Sequence, residues 1–214
     1  MRVWRPALPA IKNMSEGYTK FNCLFEGSKL DLPQELTDLN RWRQSMRAQG
    51  LIGIYPDGIG FGNISLRLKN PAHFLISGSA TGGVESLDAS QIARVTHWNT
   101  GANLVQADGG CPPSSEALSH AAFYTADSSI NGVIHIHSLT LWQAMLGIEP
   151  TTAPHAAYGS PDMAREIERF FTSGICRSRG LMVMAGHREG IFAFGTTLAE
   201  AASCILAAVK REKH

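Results

Sequence analysis

Two histidines stand one residue apart, His135-Ile136-His137, inside the apolar run GVIHIH. The run reads as a buried strand, and side chains two apart on a strand point to the same face. Two imidazoles on one face can share a metal ion. Taken alone, such a pair more often packs as two hydrogen-bonded core histidines, and that reading stays open here. Two other positions shift the balance. His187 falls in a short turn, Gly186-His187-Arg188-Glu189, between the apolar runs LMVMA and GIFAF. Glu116 ends the hydroxyl-rich stretch Pro113-Ser114-Ser115-Glu116 and offers a carboxylate. Together they supply three imidazoles and one carboxylate, and a zinc-type centre normally needs three protein ligands.

Competing uses of the histidine pair fit less well. The residues after it, SLTLWQAML, lack the glutamate a cupin would place there and the Asp-His continuation of a metallo-β-lactamase site. Too little chain follows for an amidohydrolase barrel. Gly58-x-Gly60-x-Gly62 is a poor dinucleotide fingerprint, because a strand follows it where a helix is required. His120, four residues after Glu116, shares its helix face and is read as packing or orienting. His155 reads as a loop histidine, and His73, His97 and His214 as incidental. Arg188 and Glu189 support the site or an interface, with solvated turn charges an equal reading.

The elements that must position these groups follow from periodicity. A helix is predicted from Pro33, with Asp31 as its cap, Leu36, Leu39, Trp42 and Met46 on one face, and Gly50 past its end. The glycine-rich stretch YPDGIGFGN reads as a turn. Alternation at Ile64, Leu66 and Leu68 predicts a strand, as do FLIS (Phe74 to Ser77) and Ala93 to Trp98, with a further short one after the Asn99-Thr100-Gly101 turn. A helix is predicted from Pro112 to Tyr124, with its acid near the start. Others run from Leu139 to Leu146, from Ser160-Pro161 to Phe171, and from Thr196 or Thr197 to the C-terminus, where Thr197 and Glu200 form a capping-box pattern. Interleaved strands and helices with a bias to hairpins predict an α/β single domain. Its central sheet is mixed, largely antiparallel and flanked by helices. Residues 1–30 read as an N-terminal arm and 31–214 as the domain.

Composition excludes several classes. The 214 residues are 44% hydrophobic and 17% charged, a globular balance. Lys+Arg 19 against Asp+Glu 18 leaves a net charge of +1, which advertises neither a nucleic-acid nor a membrane partner. Cys23, Cys111, Cys176 and Cys204 are scattered, no apolar run has the length of a membrane span, and the N-terminal stretch lacks a signal-peptide core. A reduced, cytoplasmic protein is expected.

The motifs have a further property, their order. Gly62-Asn63-Ile64-Ser65 is followed by Ile76-Ser77-Gly78-Ser79-Ala80-Thr81-Gly82, then Pro113-Ser114-Ser115-Glu116, His120, GVIHIHS, and Gly186-His187 leading into GIFAFGTTLAEA. This ordered set resembles the class II aldolase/adducin family, whose members include sugar-phosphate aldolases and 4-epimerases. It covers about residues 35 to 210.

The resemblance implies a three-layer fold assembled as a homo-oligomer, with a tetramer favoured and the site at a subunit interface. It implies a divalent metal, usually Zn2+, with Mn2+ or Fe2+ as alternatives. The ligands would be His135, His137, His187 and Glu116. It implies a lyase of carbohydrate metabolism that cleaves a small hydroxylated carbonyl compound, a sugar or ketose phosphate, through a metal-stabilised enediolate, with Glu116 as acid/base. Such a base should sit in a dry pocket. The family's epimerases have aspartate where Glu116 stands, which leans the reading to the aldolase branch. Asn63, Ser79, Thr81, Gly82, Ser114 and Ser115 would bind the phosphate, or equally a carboxylate, aided by backbone N–H groups at the Ser114 helix start. Tyr158 is the tyrosine available as proton donor. The chain departs from the family pattern in its longer SGSATGG loop and in Arg188-Glu189 before Gly190. The alternatives are a 4-epimerase or dehydratase on the same metal, or a non-catalytic adducin-like interaction domain.

Overall fold

The computed structural model describes residues 19–212. Its centre is β8 (Gly132–His137), a strand buried at every residue. β4 (Asn63–Arg67) and β10 (Gly190–Gly195) flank it, both antiparallel to it. Beyond β4 lie β5 (Phe74–Ser77), β6 (Ile92–Asn99), β7 (Leu104–Gly109) and β1 (Asn22–Gly27), and beyond β10 lies β9 (Gly180–Val183). Among these eight strands only β1 on β7 pairs in parallel, so the sheet is mixed and largely antiparallel, as the hairpin-rich pattern predicts. The stretch read as a plain turn holds a small hairpin of its own, β2 (Gly53–Ile54) with β3 (Gly60–Phe61).

The lead-in to Lys29 contains more order than its sequence suggests. Cys23 and Phe25 of β1 pack on the core while Leu24 is 57% exposed, the alternation of an edge strand. Three neighbouring apolar residues hide that alternation in the sequence. Residues 1–18 of the expected arm, and His214, lie outside the described residues.

Each face of the sheet has its own core. On one, Ile76, Val133, Phe192 and Phe194 pack under α2 (Ala117–Ala126) and α4 (Pro161–Thr172). On the other, Ile134, Ile136, Ile191 and Ala193 pack under α1 (Pro33–Ala48), α3 (Leu139–Met145) and α5 (Leu198–Glu212). Odd-numbered residues of β8 thus face α2, and even-numbered ones face α5.

Three helix starts differ from expectation. Pro33 fixes the first residue of α1, so the capping position falls to Leu32 and Asp31 stands outside it. α2 begins at Ala117, after the Pro-Ser-Ser-Glu stretch rather than within it. At α5, Thr197 Oγ1 accepts from the Glu200 N–H (3.1 Å), while the Glu200 carboxylate accepts from the Thr196 N–H (3.0 Å), so the capping box is shared by two threonines. All four cysteines are free thiols. No described helix is long and apolar enough to cross a membrane.

Candidate functional site

The register of β8 brings His135 and His137 to the α2 face at its C-terminal end, next to the first residues of β10. His187 reaches them from the tight loop between β9 and β10. That loop is closed by His187 N–H to Met184 O (3.2 Å) and Gly190 N–H to His187 O (2.9 Å). Gly190 is needed there, because a Cβ would sit 2.5 Å from His187 Cδ2. The three Nε2 atoms converge: His135 to His137 is 2.9 Å and His187 to His137 is 3.0 Å. Glu116 Oε1 lies 3.5 Å from His135 Nε2 and 4.0 Å from His187 Nε2. Glu116 is 3% exposed, which is the dry setting expected of it.

Electrostatics decides what this cluster can hold. His135 Nδ1 faces the Ile191 carbonyl at 3.2 Å. A carbonyl only accepts, so the proton of a neutral His135 sits on Nδ1 and its Nε2 presents a lone pair to His137. Burial, reinforced by the neighbouring imidazoles, holds His135 and His137 well below the usual histidine range. Burial and the nearby Lys20 charge push His187 down to about 3. Protonation is therefore suppressed where three nitrogens meet. A buried set of neutral imidazoles beside a carboxylate fits a divalent transition ion, which supplies the positive charge those lone pairs need.

The remaining predicted residues line the same cavity. Asn63, Ser79, Thr81, Gly82, Ser114, Ser115 and Tyr158 surround it together with Glu116 and the three histidines. Two loops form its polar wall, stitched by Ser79 N–H to Pro112 O (3.0 Å) and Ser114 N–H to Ser77 O (3.2 Å). Gly82 lets the first loop touch the small hairpin, since a Cβ there would lie 2.1 Å from Gly53 O. Three of the backbone donors expected to serve an anion at the Ser114 helix start are engaged within the protein. Ser114 N–H binds Ser77 O, Glu116 N–H binds Ser114 Oγ (3.3 Å), and Ala117 N–H binds Ser114 O (3.0 Å). These three are engaged because the stretch forms a turn that precedes the helix. Thr81 also donates its hydroxyl proton inside its own loop, to Gly78 O at 2.8 Å.

A sequence-family model for the class II aldolase and adducin N-terminal domain matches residues 57–211. The chain belongs to the class II aldolase/adducin family. Its fold resembles that of YgbL from Klebsiella pneumoniae, a putative aldolase/epimerase/decarboxylase, with TM-score 0.63, 19% identity, and 85% of this chain and 87% of that one covered. An L-fuculose 1-phosphate aldolase gives TM-score 0.61 at 21% identity over 87% and 86% of the two chains. A sugar-phosphate aldolase from Thermotoga maritima gives 0.60 at 15% identity over 85% and 93%. No curated protein sequence matches the chain.

Within this class II aldolase/adducin fold, three residues at or behind the site escape sequence reasoning, and a fourth, Glu189, is read there only as a support of the site, an interface residue or a solvated charge. Lys20, from the lead-in, places Nζ 3.0 Å from the centre of the Tyr158 ring, and the Tyr158 and His187 ring centres are 4.8 Å apart. Burial lowers Lys20 to about 8 against the opposing pull of Glu116. Arg43, inside the apolar stripe of α1 and 1% exposed, donates to the carbonyls of Thr81 (2.6 Å), Gly82 (3.3 Å) and Glu85 (3.2 Å) and so holds the first loop from behind. Tyr55, in the turn of the small hairpin, places its hydroxyl 2.7 Å from His137 Nδ1 and donates to Glu189 Oε2 at 3.0 Å. Lys20, Arg43 and Tyr55 have no local signal. Glu189 had one, its place beside the third histidine. His73 is half-buried, His97 and His155 are exposed, and all three stand apart from the cavity lining, as predicted.

Proposed function

We propose that this protein is a metal-dependent aldolase, a carbon–carbon lyase acting on a small hydroxylated carbonyl compound, with a ketose phosphate as the preferred class. The observation that supports this most is the convergence of His135, His137 and His187 Nε2 beside the buried Glu116 carboxylate. A divalent ion there, Zn2+ first among candidates, would supply Lewis acidity that stabilises negative charge developing on substrate oxygens as the carbon–carbon bond breaks. His135, His137 and His187 would hold such an ion, and the Glu116 carboxylate would be a further ligand available to it.

Glu116, buried beside the three histidines, is assigned the proton at the substrate carbon. Tyr158, buried against His187, is assigned the proton to the leaving fragment. Asn63, Ser79, Ser114 and Ser115 hold the anionic end of the substrate. Gly82 and Thr81 shape that end of the cavity, and Lys20 adds a positive charge nearby. Residues 31–214 are assigned to the catalytic domain, working in the cytoplasm as a homo-oligomer, a tetramer by family precedent.

The test is elemental analysis of purified protein, followed by a cleavage assay on ketose 1-phosphates and hydroxy acids. About one transition metal per chain and two carbon fragments as products support the aldolase. An epimer or a dehydrated ketone moves the assignment to the other enzymatic branches. No metal after reconstitution overturns the enzyme reading in favour of an interaction domain.

A further inference from the structure

His137 occupies the middle of a chain of short contacts. Glu189 Oε2 meets the Tyr55 hydroxyl at 3.0 Å, that hydroxyl meets His137 Nδ1 at 2.7 Å, and His137 Nε2 meets His135 Nε2 at 2.9 Å. His187 Nε2 meets the same His137 Nε2 at 3.0 Å. Along the three contacts from Glu189 to His135, Tyr55 and a neutral His137 bring one movable proton each. His135 adds none to the chain, because its own proton is on Nδ1 against Ile191 O. Two arrangements compete. In one, Tyr55 donates to His137 Nδ1 and His137 Nε2–H points at His135, which leaves the Glu189 carboxylate facing a hydroxyl oxygen without a proton between them. In the other, Tyr55 donates to Glu189, His137 donates from Nδ1 to Tyr55, and His137 Nε2 is bare. Only the second gives the carboxylate the Tyr55 proton, and only the second leaves His137 able to ligate an ion through Nε2.

The backbone gives an independent reason to assign Glu189 a task. Its φ is +75°, one of three positive values among described non-glycine residues. Glycine takes that conformation at little cost, and a longer side chain is strained in it. Across the gap, the Tyr55 ring packs at a tilt against Phe61 (4.4 Å between centres), and Phe61 in turn stacks on His137 (5.5 Å). The hydroxyl is thus held in place from a hairpin remote in sequence.

We propose that Glu189, acting through Tyr55, is a positioning residue that selects the Nδ1–H tautomer of His137 and so sets the metal affinity of the site. The affinity half rests on the metal reading above; the tautomer half stands on the hydrogen bonds alone. Partners of this kind behind a metal ligand are worth roughly 10- to 100-fold in affinity.

Two variants test it, Glu189→Gly and Tyr55→Phe. The first removes the carboxylate while relieving the positive φ, and the second keeps the ring packing. Nitrogen-15 NMR of the metal-free proteins reads the His137 tautomer directly. Zinc affinity is read by competition with a chromophoric chelator, and thermal unfolding of the metal-free forms reads stability. The expected wild-type tautomer is Nδ1–H, shifting toward Nε2–H in both variants. Zinc should bind each variant about tenfold or more weakly, although Glu189→Gly melts at the same or a higher temperature. A purely structural role would make stability and affinity fall together. Wild-type His137 already protonated on Nε2, or zinc bound equally by all three proteins, overturns the proposal. Zinc failing to bind even the wild type, with the tautomer shift intact, instead sinks the metal reading and the affinity half with it.

Discussion

His120 and His135 are buried on the same face of one sheet, at 0% and 1% exposure, yet their surroundings make them different chemical objects. His120 Nδ1 meets Ser65 Oγ at 2.7 Å, and the same oxygen meets the Tyr124 hydroxyl at 2.7 Å. Its ring edge packs on Phe192, and its Nε2 has no hydrogen bond among the described residues. His135 turns Nε2 toward two more imidazoles and a carboxylate. Burial keeps both neutral, and His120 is pushed down to about 3. Neutrality is therefore necessary for a ligand and not sufficient. The difference is convergence: lone pairs from separate elements must meet at one point, and among the described residues only β8 and the loop before β10 achieve that.

The comparison can be broken from either side. His135→Ala should empty the site, taking the metal content from about one per chain to none. Activity should fall by roughly a thousandfold or more, the scale of a Lewis acid worth several kcal/mol. Elemental analysis and initial rates check both. Glu116→Gln should keep the ion and lower kcat by about 10²- to 10⁴-fold, the usual share of a general acid or base; a matching loss of metal would recast Glu116 as chiefly a ligand.

On the other side, Ser65→Ala leaves the His120 and Tyr124 contacts unmade at a buried point. It should cost about 1–3 kcal/mol in denaturant unfolding and leave zinc stoichiometry untouched. The smallest effect is a slope. The ordinary imidazole value is 6.5, and folded His120 titrates at about 3. Below 6.5 the unfolded chain therefore takes up a proton that the folded one refuses. Metal-free protein should lose stability as pH falls through that window, by about 1.4 kcal/mol per pH unit for each such imidazole. His120→Gln should flatten the slope by one proton's worth. An unchanged slope would mean that His120 protonates in the folded state.

What the sequence made legible was local or ordered. The His135-x-His137 spacing needs only a strand, His187 needs only a turn between two apolar runs, and Glu116 lies in a recognisable run of hydroxyls. The family order then placed the two loops on one cavity, where they are found. What stayed hidden depends on contacts between distant segments. Tyr55 and Glu189 meet only because the small hairpin folds over the loop after β9. Arg43 interrupts an apolar stripe with a charge, and its role is visible only once the carbonyls of Thr81 and Gly82 stand opposite it. The start of α2 was misplaced for the same reason: its preceding turn is held by Ser77, on another strand, rather than by the helix.

The parallel pairing of β1 on β7 bears on the order in which the protein matures. Of the described strands β1 leaves the ribosome first, yet it pairs only with β7, so it must wait for five other strands, β2 to β6, to emerge before its partner exists. Until then its apolar residues have no cover, a condition that favours chaperone capture or off-pathway association. Lys20 stands two residues before that strand. The positive charge beside Tyr158 thus reaches the cavity only when the first-made strand has found its late partner, and a correctly closed sheet edge becomes a precondition of a fully charged site.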